Sequence, residues 1–240
     1  MSTDGSDLRE HVARSVDKVR ERIRSAGGGH RDVRLVAVTK GFGPEVVEAV
    51  LAAGVIDTAE SYAQELVAKA AVVTGAQWHF VGRLQKNKVR QVAPLVHLWQ
   101  SIDRPELAVE LSRRAPGAQA LVQVNVGGEL GKGGCDPRDA PVLVDQLHRS
   151  GIDVTGLMAV GVGGSPEQAR PGFRMLAELA DGMELAERSM GMSDDLEVAV
   201  EEGSTMVRVG RALFGRRPLP AGRGAARPPG VEEPRLSRYL

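Results

Sequence analysis

From residue 34 onward, short apolar runs alternate with amphipathic stretches of helical period, and this alternation limits the fold more than any other feature of the chain. The runs cover residues 34–38, 55–59, 77–81, 96–100, 120–126, 154–158, 183–190 and 205–209, the seventh being the weakest. Between most of them lie helical patterns at 44–53, 63–73, 85–93, 105–115, 137–150 and 166–180. Several of these begin with proline near the first helical position, where its missing N–H costs little. Strands that alternate with helices predict parallel βα units and an α/β fold. The 240 residues suit a single (β/α)8 TIM-type barrel. A doubly wound open sheet stands as the alternative, because periodicity carries no strand order.

Ahead of the first run, Leu8, Val12, Val16, Val19 and Ile23 form one apolar helical face. Ser6 or Asp7 is the expected N-cap of this extra N-terminal helix, and the Gly27-Gly28-Gly29 run ends it. Residues 1–217 therefore read as one barrel domain. The segment 218–240 is rich in Pro, Gly, Ala and Arg with little periodic apolar content, and is expected to be disordered.

Composition narrows the function classes. Lys and Arg number 31, as do Asp and Glu, so no net charge drives nucleic-acid or anionic-membrane binding. The single cysteine, Cys135, excludes an internal disulfide framework and a cysteine zinc cage, and fits a reducing compartment. No apolar run approaches the ~18 residues of a membrane-spanning helix, and the N-terminus has no apolar signal core. A cytoplasmic protein that binds neither nucleic acid nor membrane is expected.

Several motifs fail on inspection. The five histidines show no paired metal spacing, and no Gly-x-Ser-x-Gly elbow is present. The glycine-rich stretch 127–134 has Gly133 where a phosphate loop of the Walker type needs Ser or Thr. Pro166 falls where a dinucleotide-binding turn near Gly161 needs its third glycine.

Lys40 ends the first predicted strand, and alternation puts Val36, Val38 and Lys40 on one side of it. In a barrel this is the C-terminal mouth, where active sites lie. Partial burial there lowers an amine's pKa and makes the free nucleophile accessible near neutral pH. The alternative is a strand-end lysine that extends to solvent. After the seventh run comes Ser189-Met-Gly-Met-Ser193, and the eighth leads into Val207-Arg-Val-Gly-Arg-Ala-Leu-Phe-Gly215. Loops after strands seven and eight of barrels often bind phosphate. Ser193 offers a hydroxyl, and Gly210 lets backbone N–H groups approach an anion. A phosphorylated aldehyde held by Lys40 follows as a candidate ligand.

These segments, with Trp78-His-Phe-Val-Gly82, Leu84-Gln85, Asn87-Lys88, residues 123–126 and Glu202-Gly-Ser-Thr-Met-Val-Arg-Val-Gly210, resemble the YggS/PROSC family. That family comprises pyridoxal 5′-phosphate (PLP) homeostasis proteins, similar to the barrel domain of alanine racemase. The match is ordered and spans residues 8–217. The resemblance implies one barrel carrying PLP as an internal aldimine on Lys40. It implies phosphate contacts from Ser193 and from the backbone of Gly210 and Arg211, with Arg208 near the pyridine nitrogen. Ser204 and Thr205 fall in a matching segment and join the expected cofactor set, as does His79 on the third strand. Two positions depart from the family. Ser61 stands in Ala59-Glu60-Ser61-Tyr62 where an asparagine is common, and Arg211 replaces a small hydroxylated residue. Trp78 and Trp99 read as packing residues, Cys135 as unreactive, and Lys132 as either a second PLP-handling amine or a solvated loop lysine.

Arg208 beside the ring nitrogen disfavours a protonated pyridinium, which weakens carbanion stabilisation. Racemisation also needs an acid or base on the second face of the substrate, and Tyr62 and Tyr239 are the only tyrosines. The expected function is therefore PLP binding in intracellular PLP homeostasis with little or no turnover. A weak amino-acid racemase is the alternative, and a barrel aldolase using Lys40 without PLP ranks below both. Small amino acids and PLP-dependent apoenzymes are the expected partners of a monomer.

Overall fold

The computed structural model describes residues 3–27, 32–129 and 131–217. Eight parallel strands close into a barrel in sequence order. They are β1 (Arg34–Val38), β2 (Asp57–Glu60), β3 (Gln77–Phe80), β4 (Val96–Ile102), β5 (Gln119–Val124), β6 (Asp153–Ala159), β7 (Glu187–Ser189) and β8 (Met206–Val209). Closure runs through β1 and β8, with Arg34 opposite Met206 and Ala37 opposite Val209. The open-sheet alternative is thereby excluded.

The helices are α1 (Thr3–Ser25), α2 (Pro44–Ala52), α3 (Ala63–Ala70), α4 (Lys86–Val92), α5 (Pro105–Arg114), α6 (Ala140–Arg149), α7 (Pro166–Gly182), α8 (Leu196–Glu201) and α9 (Arg211–Phe214). Ser6 and Asp7 lie inside α1 rather than capping it, because the apolar stripe starts at Leu8 and carries no information about the polar turn before it. β7 is much shorter than the run 183–190, since α7 extends to Gly182 and Leu185 packs into the outer core. α8 is too short for a helical period to be legible. The tail 218–240, with its expected disorder, lies outside the described residues.

Three apolar clusters hold the barrel. Val36, Ala59, Leu98, Leu121, Met158 and Met206 meet inside it. A larger annulus between strands and helices includes Trp78, Phe80, Trp99 and Phe173, so both tryptophans pack as expected. The third cluster sits beneath α1, whose Val12, Val16, Val19 and Ile23 cover the β1–β8 seam against Ala37, Val207, Val209 and Leu213. Burying such a side chain contributes about 1.5–3 kcal/mol, so this stripe fastens α1 across the closure point.

Candidate functional site

β1 ends at Val38, and Lys40 stands beyond it in a tight turn rather than on the strand. The Phe42 N–H donates to the Thr39 carbonyl at 3.1 Å, closing a four-residue turn with Lys40 and Gly41 at its centre. Gly41 has φ +78°, the left-handed value this turn type demands at its third position. A Cβ there would also come within 3.0 Å of the Arg217 side chain. Lys40 is half-buried. Desolvation, followed by the nearby Arg217 charge, holds its amine below the usual lysine range, against the opposing pull of Glu60.

Lys40 borders two cavities. The first, about 460 Å³, is lined by Lys40, Phe42, Ser193, Arg208, Gly210 and Arg211 among others, with Arg216 and Arg217 adding charge and Asp194 as its acid. Arg211 pairs with Asp194, another residue of this lining, and both side chains are largely exposed. The Ser193 Oγ accepts the Ala212 N–H at 3.1 Å, leaving its own proton available to donate. Arg22 of α1 fixes the Ser193 loop, donating to the Ser193 carbonyl at 3.0 Å while paired with Glu197 at 2.5 Å. Gly210 is required by space, since a Cβ would meet the Val38 carbonyl at 2.9 Å.

Arg208 is almost fully buried, and its guanidinium is anchored from below. Nη1 donates to the Ser189 carbonyl at 2.7 Å and to Ser189 Oγ at 2.6 Å, and Nη2 donates to the Ala159 carbonyl at 2.7 Å. Burial brings its pKa down to about 10, so the group remains cationic at neutral pH. Behind it runs a buried polar chain across the barrel. Ser189 Oγ donates to Gln100 Oε1 at 2.7 Å, Gln100 Nε2 lies 2.6 Å from His79 Nδ1, and His79 Nε2 lies 2.9 Å from Asp57. Of these, only His79 was expected. Polar residues at inward positions of otherwise apolar strands were the available signal for Asp57, Gln100 and Ser189.

The second cavity, about 490 Å³, lies on the other side of Lys40 and is lined by Ser61, Tyr62, Arg83 and Lys88 among others. Gly82 packs directly on the Ser61 backbone, with a virtual Cβ only 2.0 Å from the Ser61 carbonyl.

Several expected site residues lie elsewhere. Ser204 and Thr205 precede β8 at the N-terminal end of the barrel, opposite to Lys40. Ser204 Oγ donates to the Met190 carbonyl at 2.8 Å, and Thr205 Oγ1 donates to Glu187 at 2.7 Å. The length of β8 and its flanks, roughly 16 Å, separates them from Gly210. They close the bottom of the barrel and do not line either cavity. His79 is fully buried in the polar chain and lines neither cavity. Lys132 bonds Glu129 and the Gly161 carbonyl, each at 2.8 Å, away from both cavities. Burial pushes the Cys135 thiol up to about 12, which keeps it unreactive.

Residues 14–218 match the family model described as alanine racemase, N-terminal domain. A pyridoxal phosphate homeostasis protein of Aquifex aeolicus is 37% identical over 222 residues, covering 87% of this chain and 97% of that one. Among solved structures, PipY of Synechococcus elongatus PCC7942 with PLP bound superposes with a TM-score of 0.74 at 30% identity, over 85% of this chain and all of that one. Alanine racemase of Bacillus anthracis shares the fold alone, with a TM-score of 0.67 at 18% identity, over 88% of this chain and 57% of that one.

Proposed function

The chain belongs to the pyridoxal phosphate homeostasis proteins of the alanine racemase N-terminal-domain family, and on that premise we propose that it binds PLP at Lys40 and holds it with little or no turnover. The observation that carries this reading is the half-buried Lys40 amine at the edge of a cavity lined by Arg208, Arg217, Ser193 and Gly210. In a chain without net charge, this local excess of cations suits a small dianion bearing an amine-reactive carbonyl. When bound, PLP supplies that carbonyl and an electron-withdrawing ring.

The protein's own groups divide the work. Lys40, with its lowered pKa, is the amine that anchors the ligand. The Ser193 hydroxyl and the backbone N–H groups at Gly210 and Arg211 are the phosphate donors. Arg208 is the partner of the ring nitrogen and keeps that nitrogen unprotonated by like-charge repulsion. Ser189, Gln100 and His79 act through Arg208 by fixing its guanidinium. Ser61 borders Lys40 from the second cavity and has a hydroxyl where asparagine would offer a side-chain amide.

The racemase alternative needs a second acid or base facing the site. Tyr62 shares the second cavity with Lys40, but it is 56% exposed and no described group holds its hydroxyl. The reading therefore stays with a carrier acting as a cytoplasmic monomer, residues 1–217 forming its one PLP-binding unit. Small amino acids are its competing amines and PLP-dependent apoenzymes its recipients. The test is an absorption spectrum before and after borohydride, followed by peptide mapping. A cofactor mass fixed on the Lys40 peptide supports the reading, and a protein that takes up no PLP ends it.

A further inference from the structure

The turn that carries Lys40 is gripped by three charged side chains that take no part in binding the ligand as described above. Lys69 of α3 is 4% exposed. Its Nζ donates to the Thr39 carbonyl at 2.8 Å and to Glu60 Oε1 at 2.5 Å, and lies 3.5 Å from Glu65 Oε2. The same Glu60 oxygen accepts the Thr39 hydroxyl at 2.7 Å. Glu65, one turn before Lys69 on α3, accepts the Gly41 N–H at 2.7 Å. Lys40 is therefore flanked on both sides: the carbonyl and hydroxyl of Thr39 are held before it, and the amide of Gly41 after it.

This arrangement is costly to build. A fully buried carboxylate and a nearly buried ammonium lose hydration that an apolar pair would not need, and such pairs add little net stability. Glu60 also keeps one oxygen, Oε2, with no partner among the described residues. Every polar group of the cluster that does find a partner ends on the Lys40 turn or within the cluster itself.

We propose that Lys69, with Glu60 and Glu65, is a positioning residue that locks the Thr39–Phe42 turn so that the Lys40 amine is held half-desolvated between the two cavities. The proposal rests on the reading of Lys40 as the ligand-anchoring amine. The charged groups that act on Lys40 are Arg217 and Arg208, which oppose its protonation, and Glu60 and Glu65, which favour it. Freed from the clamp, the amine swings into water, recovers hydration, and titrates closer to an ordinary lysine.

The experiment uses ligand-free full-length protein. Lys40 acetylation by acetic anhydride is followed against pH by mass spectrometry, and exchange of the Gly41 amide is followed by NMR. In Lys69→Met the labelling midpoint is expected to move up and Gly41 exchange to rise about tenfold or more, through local opening. Thr39→Val, which removes only the hydroxyl bonded to Glu60, is expected to shift both in the same direction by less, with Thr39→Ser restoring them. A folded Lys69→Met protein of lower melting temperature, with the Lys40 profile and Gly41 exchange unmoved, overturns the proposal. If Lys69→Met does not fold, the Thr39 pair decides: movement in Val with recovery in Ser supports it, and no movement overturns it. A separate arm measures PLP retention on dialysis, expected to fall in Lys69→Met. A wild-type protein that retains no PLP would end the carrier reading while leaving the labelling result to judge the clamp.

Discussion

The side-chain amide of Gln100 lies 2.6 Å from Nδ1 of His79, and this contact fixes which imidazole nitrogen carries the proton. Gln100 Oε1 already accepts from Ser189, so the amide nitrogen faces His79 and donates. Nδ1 is then the acceptor, and the Nε2–H donates to Asp57. One neutral tautomer satisfies the whole chain up to Arg208.

Acidification should attack this chain. Burial, the dominant influence, lowers the His79 pKa against the opposing pull of Asp57, so the unfolded chain binds the proton more readily than the folded one. Stability from this group is complete above the unfolded value of about 6.5 and falls as pH drops below it toward the folded pKa. Denaturant titrations from pH 7.5 down to 5 should show that decline, and His79→Gln should flatten it. An identical slope in the variant would mean that another group governs acid stability.

Gln100→Leu keeps much of the side-chain volume but strands His79 Nδ1 and Ser189 Oγ in the barrel interior. Each lost partner costs about 1–3 kcal/mol, and because Ser189 Oγ still accepts from Arg208 the total loss expected in urea unfolding lies in the lower part of the ~2–6 kcal/mol sum. Because Ser189 also receives Arg208, PLP affinity should fall alongside stability. A loss of stability with unchanged affinity would separate the chain from the ring-nitrogen contact.

Lys40→Ala should abolish the borohydride-fixed adduct and leave the melting temperature close to wild type. The half-buried side chain borders two cavities rather than filling the packed core, so its removal costs little packing. Labelling found at Lys132 instead would displace Lys40 as the anchor.

Ser193→Ala should weaken PLP by about 1.5–3 kcal/mol, roughly ten- to a hundredfold, the usual range for one hydrogen bond to a charged acceptor. Pyridoxal without phosphate should bind both forms poorly and to similar degrees. Equal weakening of the two ligands would remove Ser193 from the phosphate end.

Exchange of the L-alanine α-proton in D2O, measured with circular dichroism for racemisation, should be slow or absent. One missing acid or base typically withholds 10²–10⁴-fold. Rapid exchange lost in both Lys40→Ala and Tyr62→Phe would favour the racemase and name its second group.

The strands and helices from β1 to α7 were legible in the chain because each has a period: two for the barrel staves, 3.6 for the helices over them. Pro44, Pro105 and Pro166 marked helix starts that the structure retains. α8 and α9 were not legible as elements, since so few residues show no period. Ser204 and Thr205 entered the expected set through their place in a matched segment, and the structure sets them at the end of the barrel opposite Lys40. Sequence proximity to Arg208 says nothing of which end of a strand a residue occupies until the strand's limits are known.

The sequence alone determined an α/β chain of alternating strands and helices with an extra N-terminal helix, favouring a barrel over an open sheet. Its patterning singled out Lys40, Ser193 and Gly210, while Arg208 entered through the family resemblance. Local periodicity set the strands and helices, and with the usual place of barrel active sites it pointed to Lys40, Ser193 and Gly210, because each of these signals sits in a few neighbouring residues. Tertiary structure alone decided which polar side chains meet. Asp57, His79, Gln100, Ser189 and Arg208 come from β2, β3, β4, β7 and β8, and only barrel closure turns them toward one another. Lys69 likewise reaches Thr39 across thirty positions of chain. Such contacts depend on strand register and on burial, which removes water as a competing partner, and neither is encoded in any local stretch.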